Sequence, residues 1–176
     1  VLMARDSRGI YYVEHVVRGQ WSANDRNRIM SQVADDDARR YRNEVIIHVE
    51  QEGGSGGKEV AQQAVVQLAG HAVYADVVSG ARIKRRNNRV FPGEAKVVRA
   101  QPLAAQAEGG NVRVKRGGWN GEYLEELCAF PDYHVDDQVD ASSGAFNKLA
   151  RMGAFVGGKI RRTNVAAKEK AAEKFG

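Results

Sequence analysis

The chain holds a single cysteine, Cys128, among 176 residues, which excludes a disulfide framework and any cysteine-based zinc site. Its four histidines, His15, His48, His71 and His134, form neither a His-x-x-x-His pair nor another zinc spacing, so the ligand pattern of a zinc enzyme is lacking. No apolar run reaches the roughly 18 residues of a membrane-spanning helix. No signal-peptide pattern opens the sequence, and the expectation is a chain that folds in the cytosol, neither inserted nor secreted. Internal repeats are lacking too. The glycine-rich stretch Gly53-Gly54-Ser55-Gly56-Gly57-Lys58 invites a nucleotide-binding reading that fails on spacing: a P-loop needs Gly where Glu52 stands and Ser or Thr where Glu59 stands.

What the chain does have is positive charge. A net charge of +5 and an isoelectric point near 9.4 favour a polyanionic partner, in the first instance nucleic acid. The length suits one domain with its own core.

Hydrophobic periodicity and turn chemistry predict an alternation of strands and helices. Val1 to Met3 and Ile10 to Val17 read as a hairpin closed by the polar turn around Asp6. Ser22-Ala23-Asn24-Asp25 starts a helix, with Ile29 and Val33 on its apolar stripe, that ends near Asp35-Asp36-Asp37. Glu44 to Glu50 reads as the central strand. Glu59 to Ala69 is a helix stopped by Gly70, Tyr74 to Val78 a short strand, Pro102 to Ala107 a short helix and Asn111 to Lys115 a strand. Tyr123 to Phe130 is a helix stopped by Pro131, and a last helix runs from Asp137 to Met152. This order predicts an α/β fold with a mixed sheet. From Gly153 the composition shifts, so residues 153–176 read as a basic tail or linker behind a domain of residues 1–152.

Two clusters of residues carry candidate chemistry. Asp136 and Asp137 stand side by side where the last helix begins, and the helix dipole with its free N–H groups stabilises negative charge there. Such oxygens suit a hard cation such as Mg2+. Glu50, at the end of the central strand, is the second source of a carboxylate; Glu52 is its alternative, although it adjoins Gly53 and belongs to the turn. Acids from a strand end and a helix start, meeting in one cleft, are the raw material of metal-dependent phosphoryl transfer. Asp136 ranks first among the helix acids and Asp137 second, because neighbouring helical residues point about 100° apart. Asp140, one turn on, is a supporting residue. The basic segment holding Arg82, Lys84, Arg85, Arg86 and Arg89 is the main DNA-contact candidate, with Lys58, Lys96, Arg99, Arg113, Lys115 and Arg116 beside it. Lysines and arginines of this kind position a phosphate backbone without reading its sequence.

Several stretches resemble, in order, the C-terminal nuclease domain of the large terminase subunit of tailed bacteriophages. They are Glu14-His15-Val16-Val17-Arg18-Gly19-Gln20-Trp21-Ser22, Glu50-Gln51-Glu52-Gly53-Gly54-Ser55-Gly56-Gly57-Lys58, Arg99-Ala100-Gln101-Pro102-Leu103 through Gly109-Gly110-Asn111-Val112, and Asp136-Asp137-Gln138-Val139-Asp140-Ala141. The resemblance implies a ribonuclease-H-like fold and a Mg2+- or Mn2+-dependent endonuclease that cuts concatemeric viral DNA during packaging. It implies Glu50, Asp136 and Asp137 as metal-holding catalytic acids, double-stranded DNA as substrate, the small terminase subunit and the portal as partners, and the bacterial host cytoplasm as location. The chain departs from the family pattern in one respect: the strand that ordinarily carries a first aspartate before the hairpin has no counterpart in the sequence, and Asp6 lies in a turn. The expectation is therefore a nuclease domain lacking its first strand, a fragment or a truncated prophage copy. The alternatives are a catalytically incomplete DNA-binding fragment and a packaging-scaffold module.

Overall fold

A computed structural model describes residues 1–42, 44–51, 55–77, 92–132 and 135–153. The first two strands, β1 (Leu2–Arg5) and β2 (Tyr11–His15), form the expected antiparallel hairpin. Asp6 closes it, accepting the backbone N–H groups of Arg8 at 3.0 Å and Ile10 at 2.9 Å. Gly9 completes the turn at φ +90°, a conformation that a side chain would strain. Those hydrogen bonds, led by the one from Ile10, hold the Asp6 carboxyl below the usual carboxylate range.

Helix α1 (Ala23–Arg40) begins at Ser22, whose hydroxyl accepts the N–H of Asp25 as the capping pattern predicts. It runs past the three aspartates where the sequence suggested an end. Strand β3 (Ile46–Gln51) leads to helix α2 (Ser55–Gln67), so Gly56, Gly57 and Lys58 are helical rather than part of an open loop. Gly70, at φ +102°, turns the chain after α2, and β4 (Ala72–Val77) follows.

Helix α3 (Pro92–Glu108) is far longer than the short helix expected at Pro102 to Ala107. Pro102 lies in its interior, where it removes one backbone donor from the carbonyl of Val98. Packing of Leu103 into the core offsets that loss. Strand β5 (Val112–Val114) and helices α4 (Asn120–Ala129) and α5 (Asp137–Gly153) complete the described order. No described helix is long and apolar enough to cross a membrane.

The described strands form two sheets. In one, β1 pairs antiparallel with β2 and β2 pairs parallel with β5; in the other, β3 and β4 pair parallel. The mixed α/β character agrees with expectation. The central position expected for β3 does not: among the described residues it has one strand neighbour, β4, because no other described strand reaches its second edge. Met3, Tyr11 and Val13 of the first sheet, with Val16 just beyond β2, bury against Leu103, Tyr123 and Phe146 of α3, α4 and α5. Tyr11 and Phe146 meet with ring centroids 4.6 Å apart. A smaller cluster lies over the second sheet, where Ala34 of α1, Ala61 and Ala64 of α2, and Leu68 are buried.

Candidate active site

Helix α5 places Asp136 just before its first turn and Asp140 one turn later, and the N–H of Asp140 bonds to the carbonyl of Asp136 at 2.9 Å. The spacing of four puts both carboxylates on one face. Asp137 lies about 100° round the helix and is exposed. The structure groups Asp136 with Asp140 on the face turned toward α3, while Asp137 points elsewhere.

Both acids turn toward α3. Lys96 Nζ lies 2.6 and 2.7 Å from the two oxygens of Asp136 and 3.1 Å from Asp140 Oδ2. The hydrogen bond to Asp136, ahead of the one to Asp140, raises the Lys96 pKa above the ordinary lysine value. Arg99, one turn along α3, gives one guanidinium nitrogen to Asp140 and places another 3.9 Å from Glu50 Oε1. Its backbone carbonyl accepts from Asn147 of α5 at 3.1 Å. Glu50 stands on β3, with 48% of its side chain exposed, and Arg99 is the bridge between it and the acids of α5. The three acids come together through this pair of cations. Arg99, expected on an open DNA-facing surface, is thus enclosed among carboxylates.

A fourth acid, Asp76, was not anticipated. It is the register partner of Glu50 across the β3 and β4 pairing, so both side chains leave the same face of the sheet. Lys148 of α5 donates to it at 2.6 Å, and His48 Nδ1 lies 3.1 Å away. Strand alternation alone, once β3 and β4 are paired, would have found it.

The second residue missed by the sequence reading is Glu126, in the last turn and a half of α4. Its side chain is 1% exposed. Oε1 accepts the backbone N–H groups of Gln138 at 2.6 Å and Val139 at 3.2 Å, and Oε2 accepts the Gln138 side-chain amide at 2.6 Å. Arg18 approaches within 3.6 Å. Glu126 thus supplies from another helix the cap that α5 lacks from its own sequence, occupying the free N–H groups that begin every helix. A hydrogen bond of 2.9 Å between the buried hydroxyls of Tyr123 and Ser142 ties the same two helices again. Burial, only partly offset by that bond, raises the Tyr123 pKa.

Residues 1–149 match the family model described as the terminase RNaseH-like domain. The chain belongs to this family. A search of curated proteins and of solved structures finds no match. Within the RNaseH-like frame the cluster of Glu50, Asp136 and Asp140 occupies one strand end and one helix start, which is the pairing of elements the sequence predicted. Carboxylate oxygens are the right donors for Mg2+ or Mn2+. Among the described residues, however, no three acidic, histidine or cysteine side chains surround a common point. Lys96 and Arg99 stand between them instead, so this arrangement is charge-compensated by protein cations and is not a ready metal site.

Lys58, on the exposed part of α2, remains open to solvent. Arg82, Lys84, Arg85, Arg86 and Arg89, together with Glu52 and His134, lie outside the described residues, as do the tail residues 154–176.

Proposed function

We propose that the chain is the DNA-cleaving domain of a terminase, a metal-dependent endonuclease that acts on double-stranded viral DNA during packaging. One observation carries this reading: Asp136 and Asp140 of α5 and Glu50 of β3, about half the chain apart, are linked through two neighbouring side chains of α3, Lys96 and Arg99. Acids from a strand end and a helix start that meet in one place are the arrangement on which metal-dependent phosphoryl transfer is built. Family membership supports the nuclease-type role. Asp137, at the start of the same helix, is retained as a candidate ligand only for an approach from its own side.

The roles of the chain's own residues follow from the geometry. Glu126 fixes the start of α5 and thereby the positions of Asp136 and Asp140. Arg99 holds Glu50 near Asp140. Mg2+ or Mn2+, when bound, would supply the activated water and stabilise the leaving oxygen. Lys58 and the arginines of residues 82–89 would hold the phosphate backbone, in keeping with the net charge of +5. Portal and small-subunit contacts and a host-cytoplasmic location are the corresponding proposals for its setting.

The pairing of the acids with Lys96 and Arg99 favours a second function, a DNA-binding module that is catalytically incomplete. Plasmid cleavage separates the two. The nuclease reading expects weak cutting in Mg2+, stronger cutting in Mn2+, and loss of both in Asp136→Ala or Glu50→Ala. Salt-dependent binding with no cutting under any of these conditions establishes the DNA-binding fragment. Robust cleavage that survives both alanine substitutions places the chemistry elsewhere.

A further inference from the structure

Alternation along β3 puts Ile46, His48 and Glu50 on one face of the second sheet, and Tyr74 and Asp76 of β4, the register partners of His48 and Glu50, share that face. Its acidic end, Glu50 and Asp76, belongs to the cluster described above. Toward the other end stand His48, Tyr74 and Ile46, which have no part in the cleavage proposed so far.

Tyr74 and His48 are stacked, with ring centroids 5.7 Å apart and planes at 25°. Tyr74 is nonetheless 57% exposed. With the imidazole against one face of the phenol ring, that exposure belongs to the opposite face and the edge. A lone exposed tyrosine calls for no ligand. This one differs in how it is held: His48 Nδ1 lies 3.1 Å from one oxygen of Asp76, and the other oxygen accepts from Lys148 of α5 at 2.6 Å, so the ring pair is braced from a strand and from a helix. A flat surface whose orientation is already fixed loses little freedom when another flat group is laid on it.

The surroundings define what that group is. The stack lies two residues, about 7 Å of strand, from Glu50 and Asp76. Phosphate is disfavoured so near two carboxylates, since like charges repel. An uncharged planar group is not, and Ile46, 39% exposed on the same face, extends the apolar surface beside the rings. DNA offers such a group where a base has left its stack.

We propose that Tyr74, backed by His48, is a stacking platform for an unpaired nucleobase of the DNA strand that enters the acid cluster. The proposal rests on the DNA-cleaving reading above and adds a substrate preference to it: a locally opened strand is held better than intact duplex. Tyr74 is the binding residue, and His48 and Asp76 position it.

The test is binding of the full chain, without divalent metal so that nothing is cut, to labelled DNA followed by fluorescence anisotropy. Three DNAs are compared: a thymidine oligonucleotide, an abasic oligonucleotide with the same number of phosphates, and a duplex of the same length. Loss of one base–aromatic stack corresponds to a drop in affinity for the thymidine strand of about 5- to 150-fold in Tyr74→Ala. Tyr74→Phe, which keeps the ring, should bind that strand as wild type does. Neither substitution should change binding of the abasic strand or the duplex, and the salt slope for the thymidine strand should stay the same, because no phosphate contact is lost. A wild type that does not distinguish thymidine from abasic strand, or a Tyr74→Ala chain that binds the thymidine strand as wild type does, overturns the platform and leaves the DNA-cleaving reading standing. An equal loss on all three DNAs also overturns the platform, since it marks a general disturbance of the surface. No binding of any of the three by wild type overturns both.

Discussion

Truncating Glu126 to alanine should be the most damaging single substitution near the site. The carboxylate is 1% exposed and accepts three hydrogen bonds, two of them from the backbone N–H groups that open α5. Hydrogen bonds to a charged group contribute about 1.5 to 3 kcal/mol each, and a buried donor left without a partner costs about 1 to 3 kcal/mol. These figures overlap and do not add in full, because water can enter the space the side chain leaves. Loss of a helix cap alone costs about 0.5 to 2 kcal/mol. A destabilisation of about 3 to 5 kcal/mol is therefore expected for Glu126→Ala. At roughly 2 to 4 °C per kcal/mol for a chain of this size, the melting temperature falls by about 6 to 20 °C. Glu126→Gln keeps the volume and one oxygen for the two backbone donors, and the Gln138 amide can turn to offer its own oxygen to the new amide. About 1 kcal/mol is expected there. Urea denaturation of the three chains, monitored by circular dichroism and by Trp119 and Trp21 fluorescence, measures the difference. A loss below about 1 kcal/mol for Glu126→Ala would refute the reasoning, since it would mean that α5 starts in the same place without its cap.

Replacing Arg85, Arg86 and Arg89 together by alanine should weaken duplex DNA binding and reduce the slope of log affinity against log salt by up to about three, near 0.9 for each phosphate that is no longer neutralised; an unchanged slope in a salt titration would remove this segment from the DNA interface. Asp6→Asn should show a pH-dependent cost. The folded carboxyl is held below the ordinary value of about 3.9, so its contribution is fully present above that pH and is lost as the pH falls through the lower folded value. The stability gap between wild type and Asp6→Asn, read as urea midpoints, should therefore be full at about pH 6 and narrow toward about pH 3, whereas a gap that widens on acidification would contradict the turn geometry.

Local signals were the legible part of this sequence. The cap at Ser22, the turn at Asp6, the stop at Gly70 and the start of α5 at Asp137 all follow from chemistry within a few residues, and each element they bound is found. The length of α3 was hidden because an interior proline reads as a boundary, and only the packing of Leu103 in the folded core outweighs that preference. Glu126 was hidden for a related reason. Among Glu122, Glu125 and Glu126 nothing local marks the one that is buried; it is buried because a second helix brings unpaired N–H groups to it. The grouping of Asp136 with Asp140 around Lys96 follows from their helical spacing of four, which the adjacency of Asp136 and Asp137 overshadowed. Lys96 and Arg99 resembled phosphate-binding residues because their partners lie 40 and 41 residues away in the chain.

The same ion pairs explain why the site and the fold have to be considered together. Helix α5 belongs to the larger core through Phe146 and is fixed by Glu126, whereas Glu50 and Asp76 stand on a sheet whose buried neighbours are mostly alanines and Leu68. What joins the two at the site is electrostatic: Arg99 to Glu50 on one side and Lys148 to Asp76 on the other. Partly exposed pairs of this kind contribute about 0 to 1 kcal/mol each and are screened by salt. The position of Glu50 relative to Asp136 and Asp140 is therefore held by small energies while each element is held by large ones. Any ligand that changes the charge balance between the acids and Lys96 acts on the weakest joint of the domain. Neutralising the acids and setting their spacing are then one process, because the guanidinium that compensates Asp140 is also what holds Glu50 near it.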